Sequence, residues 1–455
     1  MKGGKQPHYL TKKIEKYMKR VPVYPWMTGC SFPNFRQASL SPKVWDGNIS
    51  IQKFMKEEAV MSAPRIFRCP RDIIWGRGSI AYLENIVGKR AMIVTDQVLT
   101  KLGVTARVRE YLRKGGLQVR VFDEVEPEPS IHTVMRMVTE NKDFGPDVIV
   151  GLGGGSVIDA SKAFRIFFEH PRLTFQDVHS LQGPPKQTIP PFEKTTHVAI
   201  SSTSGTGSDA SHVSIVTDPA ISAKCPIVSQ ELKPNIAIVD PDIADSMPKE
   251  VMADAGIDAL THAIESYVSG MANDFSKGLS LQAIISLMKY LPLAFLGNDP
   301  VAKEHIHYAA TIAGIAFSNS ANGICHTIAT KVGGAFKLTH GRGNAIALPY
   351  SIKYNSLVTG DLFTTMAKAI GFNGDDQFLA VDYLIQTIGQ IEKQLGIPDS
   401  YKKAGLPENL YYAKIKDFAH TSTTYPTTLT NPRKPTIKEL ESLYTACYQG
   451  DYSLI

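Results

Sequence analysis

The stretch Asp147-Val-Ile-Val-Gly-Leu-Gly-Gly-Gly-Ser-Val157 runs a short apolar segment into three consecutive glycines. Residues 147–152 read as a buried strand, 153–156 as a tight turn and 157–169 as a helix, since glycines let the backbone turn sharply from one into the other. Working upstream, 90–96 reads as a strand, 104–115 as a helix, 119–122 as a strand and 131–141 as a helix. Downstream, 197–200 and 236–239 are two further apolar strands. Strand and helix alternating at this pace predict an α/β domain built on a parallel sheet, over residues 65–240.

Beyond Pro241 helical periodicity dominates, over 258–269, 276–291, 301–319 and 379–395. The expectation is a second, all-α domain over 241–455 that closes over the C-terminal edge of the sheet, with the ligand in the cleft between the two. Residues 421–435, rich in Thr and Pro, read as a surface loop before a last helix. Residues 1–64 form a basic extension: 1–68 hold 13 basic and 4 acidic side chains, whereas the whole chain balances at +6. The remainder is slightly acidic and makes no case for nucleic-acid binding. Within the extension Leu10, Ile14, Tyr17, Met18 and Val21 recur at helical steps. Such a helix packs on its own domain or a neighbouring subunit, or else serves targeting, a membrane surface or docking on a partner or shell protein.

With 43% hydrophobic and 20% charged residues among 455, the chain buries a sizeable core and is neither disordered nor fibrous. Five scattered cysteines without a C-x-x-C pair argue against a disulfide framework and for a reducing compartment. The N-terminus shows no signal-type apolar stretch, and no run of about 18 apolar residues stands out as a membrane span. A soluble, cytoplasmic protein without a membrane span is the expectation.

Gly154, Gly155 and Ser156 sit where a strand opens into a helix, a place where free amides and the positive end of the helix dipole suit a pyrophosphate. Glycines there also serve tight packing alone, and the motif is not G-x-G-x-x-G. A second loop, Ser201-Ser-Thr203-Ser-Gly-Thr206-Gly-Ser208, offers hydroxyls and open amides, or is a solvated turn. Asp96, at the end of the first strand, suits an adenosine ribose and repels a 2′-phosphate. Glu128 adds a second negative charge if its loop lies alongside; either carboxylate is otherwise a cap or a surface group. Asp258 and His262 are four residues apart on one helix face, and His326 and His340 lie far along the chain. Three imidazoles and a carboxylate suit iron or zinc rather than magnesium or calcium. His305 and His307 lack a carboxylate partner in register and read as structural.

With these motifs in order, the chain resembles the iron-containing alcohol dehydrogenase family, above all the alcohol dehydrogenase half of the bifunctional aldehyde-alcohol dehydrogenases. The resemblance runs from about Pro64 to Tyr452 and includes Gly153-Gly-Gly-Ser-Val-Ile-Asp159, Thr203-Ser-Gly-Thr-Gly-Ser208, Pro248-Lys249, Asp258-Ala-Leu-Thr-His-Ala-Ile-Glu265, His326, His340-Gly341 and Tyr448-Gln-Gly-Asp-Tyr452. It implies a sheet domain of the dehydroquinate synthase-like dinucleotide-binding type and a helical metal-binding domain. It also implies that Asp258, His262, His326 and His340 ligate Fe2+, with Zn2+ as the alternative. NAD would lie along Asp96, Glu128, Gly154, Gly155, Ser156, Thr203 and Thr206, with Lys224 at the nicotinamide ribose. Asp96 matches the position that favours NAD over NADP; Glu128 replaces the family's asparagine or aspartate.

Two departures stand out. Where the family often carries a second histidine, four residues past the third ligand and suspected of relaying a proton, this chain has Thr330. A hydroxyl passes a proton but is no base near pH 7. The aldehyde dehydrogenase half is also absent. The resemblance then implies an NAD(H)-linked enzyme that interconverts a small primary alcohol and its aldehyde, reducing aldehyde in fermentation, as a homodimer or larger assembly, in the cytoplasm or a protein microcompartment. A polyol or hydroxyacid dehydrogenase, a non-redox lyase related to dehydroquinate synthase, or a binding protein with a vestigial site are the alternatives.

Overall fold

The computed structural model describes residues 66–181, 183–221 and 223–455; the amphipathic stretch of 1–64 lies outside the described residues. The chain runs β1 (Asp72–Trp75), β2 (Arg90–Val94), α1 (Gln97–Lys101), α2 (Val104–Lys114), β3 (Gln118–Phe122), α3 (Ile131–Asn141), β4 (Val148–Gly153), α4 (Gly155–Glu169), α5 (Phe175–Val178), β5 (Thr196–Ser201), β6 (Val213–Asp218), β7 (Ala223–Val228) and β8 (Ile236–Val239). Helices follow: α6 (Pro241–Ala244), α7 (Lys249–Val268), α8 (Asp274–Gly297), α9 (Pro300–Ser318), α10 (Ile324–Phe336), α11 (His340–Ala369), α12 (Gln377–Gln394), α13 (Glu408–Ser422), α14 (Pro426–Thr430) and α15 (Ile437–Gln449). Residues Phe67–Ile455 form one compact unit.

Six strands lie side by side in the order β1-β8-β5-β4-β2-β3, all parallel. β4 is central and buried at every position, which is why it reads as an unbroken apolar run. Its glycines let α4 lie close: a Cβ on Gly153 would sit 2.6 Å from the Val157 side chain. From β2 the chain steps outward to β3 and returns on the other side to β4. The strand order therefore reverses between β2 and β4, and the crevice at their C-terminal ends is where such sheets take ligands. Asp96 follows β2 there, and Gly154 follows β4.

Beyond β8 the helices share one core, in which Ile257, Leu260, Ile264, Leu287, Ile306, Ile328 and Leu348 are buried together. α8 is long and apolar enough to cross a bilayer by length and composition, against the expectation that no such run exists. It packs instead on α7 and α9 through Ile284, Leu287 and Leu291. The Thr- and Pro-rich stretch is likewise not a surface loop. It forms α14 and packs on α10, where the Thr327 hydroxyl lies 2.7 Å from that of Thr427 and 2.8 Å from that of Thr428. Asn431 Oδ1 accepts from the Ile324 amide at 3.1 Å, so the segment braces the first turn of α10.

Glu392 of α12 is 3% exposed and its Oε1 lacks a hydrogen-bond partner. Burial, reinforced by Asp399, pushes its carboxyl well above the usual glutamate range. A folded-state pKa raised above the unfolded one means that stability is full at acid pH and declines as pH rises toward the folded value. Glu392→Gln is therefore expected to melt above the parent at pH 7–8, with the gap closing toward pH 4 in thermal unfolding scans; a gap that widens on acidification would refute this.

Candidate active site

α7 carries Asp254, Asp258, His262 and Glu265 at steps of four, four and three, so all four project from one side of the helix. The first turns of two helices meet this stripe: His326 is the third residue of α10 and His340 the first of α11. Carboxylates suit helix N-termini, where amides are unpaired and the dipole is positive. Glu265 Oε1 accepts from the Cys325 amide at 2.7 Å, and its Oε2 lies 2.6 Å from His326 Nδ1. With Nδ1 donating to that carboxylate, Nε2 carries the lone pair, and Nε2 is buried without a hydrogen-bond partner.

His326 Nε2 faces Asp258 Oδ1 at 3.9 Å, and His340 Nε2 lies 3.8 Å from the same oxygen. One ligand atom each from Asp258, His326 and His340 all fall within 4.8 Å of one another. His262 stands next to this trio rather than within it. Its ring lies 4.6 Å from those of both Phe317 and His326, and its Nδ1 is also buried without a partner. Burial alone would raise the Asp258 carboxyl, but attraction to His262, His340 and His326 holds it below its ordinary value. Burial pushes His262 down to about 3. Ionised carboxylate and neutral imidazole are the forms that bind metals. Two buried ring nitrogens without partners are costly unless something takes up their lone pairs, and a divalent transition metal does so. The residues fit such an ion. The His340 side chain is 40% exposed against 4% for Asp258, so the trio opens on the His340 side.

Two loops face each other beside this trio. Gly154 caps α4 without a side-chain bond, leaving the first amides of that helix free for an anion. A Cβ on Gly155 would sit 2.7 Å from Thr206 Cγ2, and one on Gly154 3.4 Å from Thr203 Cγ2. Thr203 Oγ1 is buried without a partner. One face of α9 holds the second loop: His307 Nδ1 lies 3.0 Å from Ser204 Oγ, Thr311 donates to Asp209 at 2.7 Å, and Ser318 Oγ lies 2.6 Å from His212 Nδ1. His307 is thus structural, as expected, and His305 stacks on Tyr290 at 4.0 Å. On its other side, a Cβ on Gly205 would lie 2.6 Å from Ala255 Cβ, one turn before Asp258 on α7. That contact sets the glycine and threonine loops next to the metal candidates. Gly155→Ala is accordingly expected to displace Thr206 and raise the dinucleotide KM about tenfold, equivalent to ~1.4 kcal/mol. Steady-state kinetics against cofactor concentration checks it, and an unchanged KM would remove Gly155 from the cradle.

The remaining residues are placed as follows. Asp96 caps α1, its Oδ1 accepting from Val98 and Leu99 amides at 2.8 and 3.0 Å. One oxygen is engaged; the cap leaves Oδ2 for a further partner. Glu128, at φ +58°, pairs with Lys224 at 2.7 Å in a partly exposed ion pair. Its amide donates to Ser156 Oγ at 3.4 Å. Thr330 lies one turn past His326 and is half-buried. The sequence assigns no role to Glu265, Asn344 or Lys162. Asn344 donates to Asp258 Oδ1 at 2.7 Å and lies 3.1 Å from His340 Nε2. Buried Lys162 donates to Ser208 Oγ at 3.0 Å and Val213 O at 2.8 Å, pinning the second loop to α4. Glu265 had a signal, since it falls three residues past His262 on the same face.

Comparison with known proteins shows the family. Residues 70–241 match the family described as iron-containing alcohol dehydrogenase, and 252–448 match the C-terminal part of the Fe-containing alcohol dehydrogenase family. The chain is 37% identical over 386 residues to the NADPH-dependent butanol dehydrogenase of Clostridium saccharobutylicum, covering 84% of this chain and 98% of the relative. It is 35% identical to the bifunctional aldehyde-alcohol dehydrogenase AdhE of Escherichia coli strain K12, covering 85% of this chain but only 46% of that protein. Among solved structures, the iron containing alcohol dehydrogenase from Thermococcus thioreducens superposes with a TM-score of 0.79 at 32% identity, over 85% of this chain and 100% of that one. The matched segments take in both the glycine and threonine loops and every metal candidate, and so the chain belongs to the iron-containing alcohol dehydrogenase family.

Proposed function

We propose that this enzyme of alcohol–aldehyde interconversion acts on a small primary alcohol and its aldehyde, with NAD(H) and a divalent metal, iron(II) in the first place, as a cytoplasmic reductase of fermentation. The observation that carries the reading is the trio Asp258, His326 and His340, open on one side next to the loops of Gly154–Gly155 and Thr203–Thr206. Asp258, His262, His326 and His340 would hold the metal. When bound, the metal supplies a Lewis acid for the substrate oxygen and the dinucleotide supplies the hydride.

The chain's own residues do the rest. Gly154, Gly155 and Ser156 leave amides and a hydroxyl free for the pyrophosphate, and Thr203 and Thr206 hold the nicotinamide end in one orientation. Lys224 leaves Glu128 to reach the cofactor ribose. The Thr330 hydroxyl passes a proton between substrate and water without storing it, because it has no basic lone pair near pH 7. Asp96 keeps an oxygen for the adenosine ribose, where a 2′-phosphate would meet its charge; this supports NAD, although the butanol dehydrogenase relative is NADPH-dependent by name. The test is oxidation of NADH and of NADPH by the purified protein with acetaldehyde, propanal, butanal and a hydroxyaldehyde. Faster turnover with NADH and an unsubstituted aldehyde is expected. Preference for NADPH would overturn the role of Asp96, and preference for the hydroxyaldehyde would point to a polyol dehydrogenase.

A further inference from the structure

α7 acts on the two histidine-bearing helices in the same manner at both ends of its polar stripe. At one end Glu265 grips the first turn of α10, as described above. At the other end Asp254, one turn before Asp258, grips the first turn of α11. Its Oδ2 accepts from the Thr339 hydroxyl at 2.7 Å and its Oδ1 from Arg342 Nε at 2.6 Å. These two donors flank His340 on either side in the chain. The backbone between them is pressed onto the same residue, since a Cβ on Gly341 would lie 2.2 Å from the Asp254 carbonyl oxygen. Asp254 and Arg342 keep only 17% and 22% of their side chains exposed, so the pair is better shielded than an ordinary surface bridge.

His340 needs such support more than the other candidates. Its side chain is 40% exposed, whereas His326 is 7% exposed and fixed through Nδ1 by Glu265. Its only side-chain hydrogen bond among the described residues runs from Asn344 to Nε2, the atom that faces Asp258. Among the described residues no carboxylate is hydrogen-bonded to its ring; the orientation must come from the backbone that carries it. We infer that Asp254 is a positioning residue for the metal site, fixing the first turn of α11 through Thr339 and Arg342 so that His340 reaches the cation shared with Asp258. Asp254 itself touches neither metal nor substrate. The inference rests on the metal reading above.

The experiment uses the full-length protein stripped of metal, with zinc(II) affinity measured by competition against a chromogenic chelator and the cobalt(II) visible spectrum as a signature of the ligand set. Two variants are compared: Asp254→Ala, and the double variant Thr339→Val/Arg342→Gln, which leaves Asp254 in place and removes only its two side-chain donors. Both are expected to bind zinc(II) about tenfold more weakly, the lower end of what loss of an orienting partner costs a metal site, and to shift the cobalt(II) bands. The double variant keeps the test valid if Asp254→Ala folds poorly. Wild-type affinity and spectrum in the double variant would overturn the inference, and so would a loss confined to an Asp254→Ala protein whose metal-free form melts early. If the parent takes up no zinc(II) or cobalt(II), the metal reading itself fails, and this inference with it.

Discussion

Asp258→Asn is expected to lower kcat/KM for aldehyde reduction by about a thousandfold, since the Lewis acid that it helps to hold contributes several kcal/mol of charge stabilisation. The amide keeps the shape of the side chain and can still accept from Asn344 through its oxygen, so the fold should survive. What is lost is the negative charge, which lies among three imidazoles. Metal content and kinetics measured on the same preparation check the cause. Low activity with full metal occupancy would mean that Asp258 is not a ligand. His262→Ala in the same assay separates two roles for this ring. A loss as large as that of Asp258→Asn makes His262 a fourth ligand; a loss of only a few fold leaves it a packing partner of Phe317 and His326.

Glu265→Gln is expected to cost nearly as much, although it is a near-isosteric change. The carboxylate of Glu265 offers one oxygen to the Cys325 amide and the other to His326 Nδ1. Glutamine replaces one of those acceptors with an NH2 group, which would point a donor at a donor. Either the imidazole must turn over to its other tautomer, carrying its proton into the metal position, or the amide of Cys325 is left unpaired in a buried site. The expected result is a metal affinity lowered between about tenfold and a hundredfold, and a stability loss of roughly 3 kcal/mol as a buried charged hydrogen bond is broken. Thermal unfolding of metal-free protein isolates the second effect, and chelator competition the first. An unchanged affinity would show that the Glu265 contact orients nothing.

How much of this was legible follows from where each element's stability comes from. β4 and the glycine turn were readable because a strand buried on both faces writes a plain apolar run, and α2 and α3 because each shows one apolar face. The β6–β7 hairpin was missed. Pro226 lies inside β7, which argues against a strand, and β6 alternates buried and half-buried positions over only six residues. β1 was missed because an edge strand of four residues, with Trp75 exposed, has too little pattern to notice. The helices α10 and α11 were not drawn from periodicity because they are buried on most sides, so that glycines and small residues replace an amphipathic stripe.

The site divides in the same way. Asp258 and His262 were visible as a helix-spaced pair, and the glycine and threonine loops as dense small-residue runs. That Gly155 meets Thr206, and that Glu128 meets Lys224, depends on the crossover between β4 and β5 and on the unseen hairpin. At the end of β2 the sequence suits Asp96 to a ribose or to a cap, and the fold uses one of its oxygens as a cap. The Thr- and Pro-rich segment deceived because threonine and proline usually mark solvated turns. Here the Thr427 and Thr428 hydroxyls are spent on Thr327, one residue past a metal candidate.

The most direct test of the account is removal and return of the metal. Protein purified without oxygen should oxidise NADH in the presence of a small aldehyde, lose that activity on exhaustive chelation, and regain it when iron(II) is restored, with one ion bound per chain. Full turnover by protein shown to be free of iron and zinc would contradict the account at its centre, because Asp258, His326 and His340 would then be gathered for something other than the reaction.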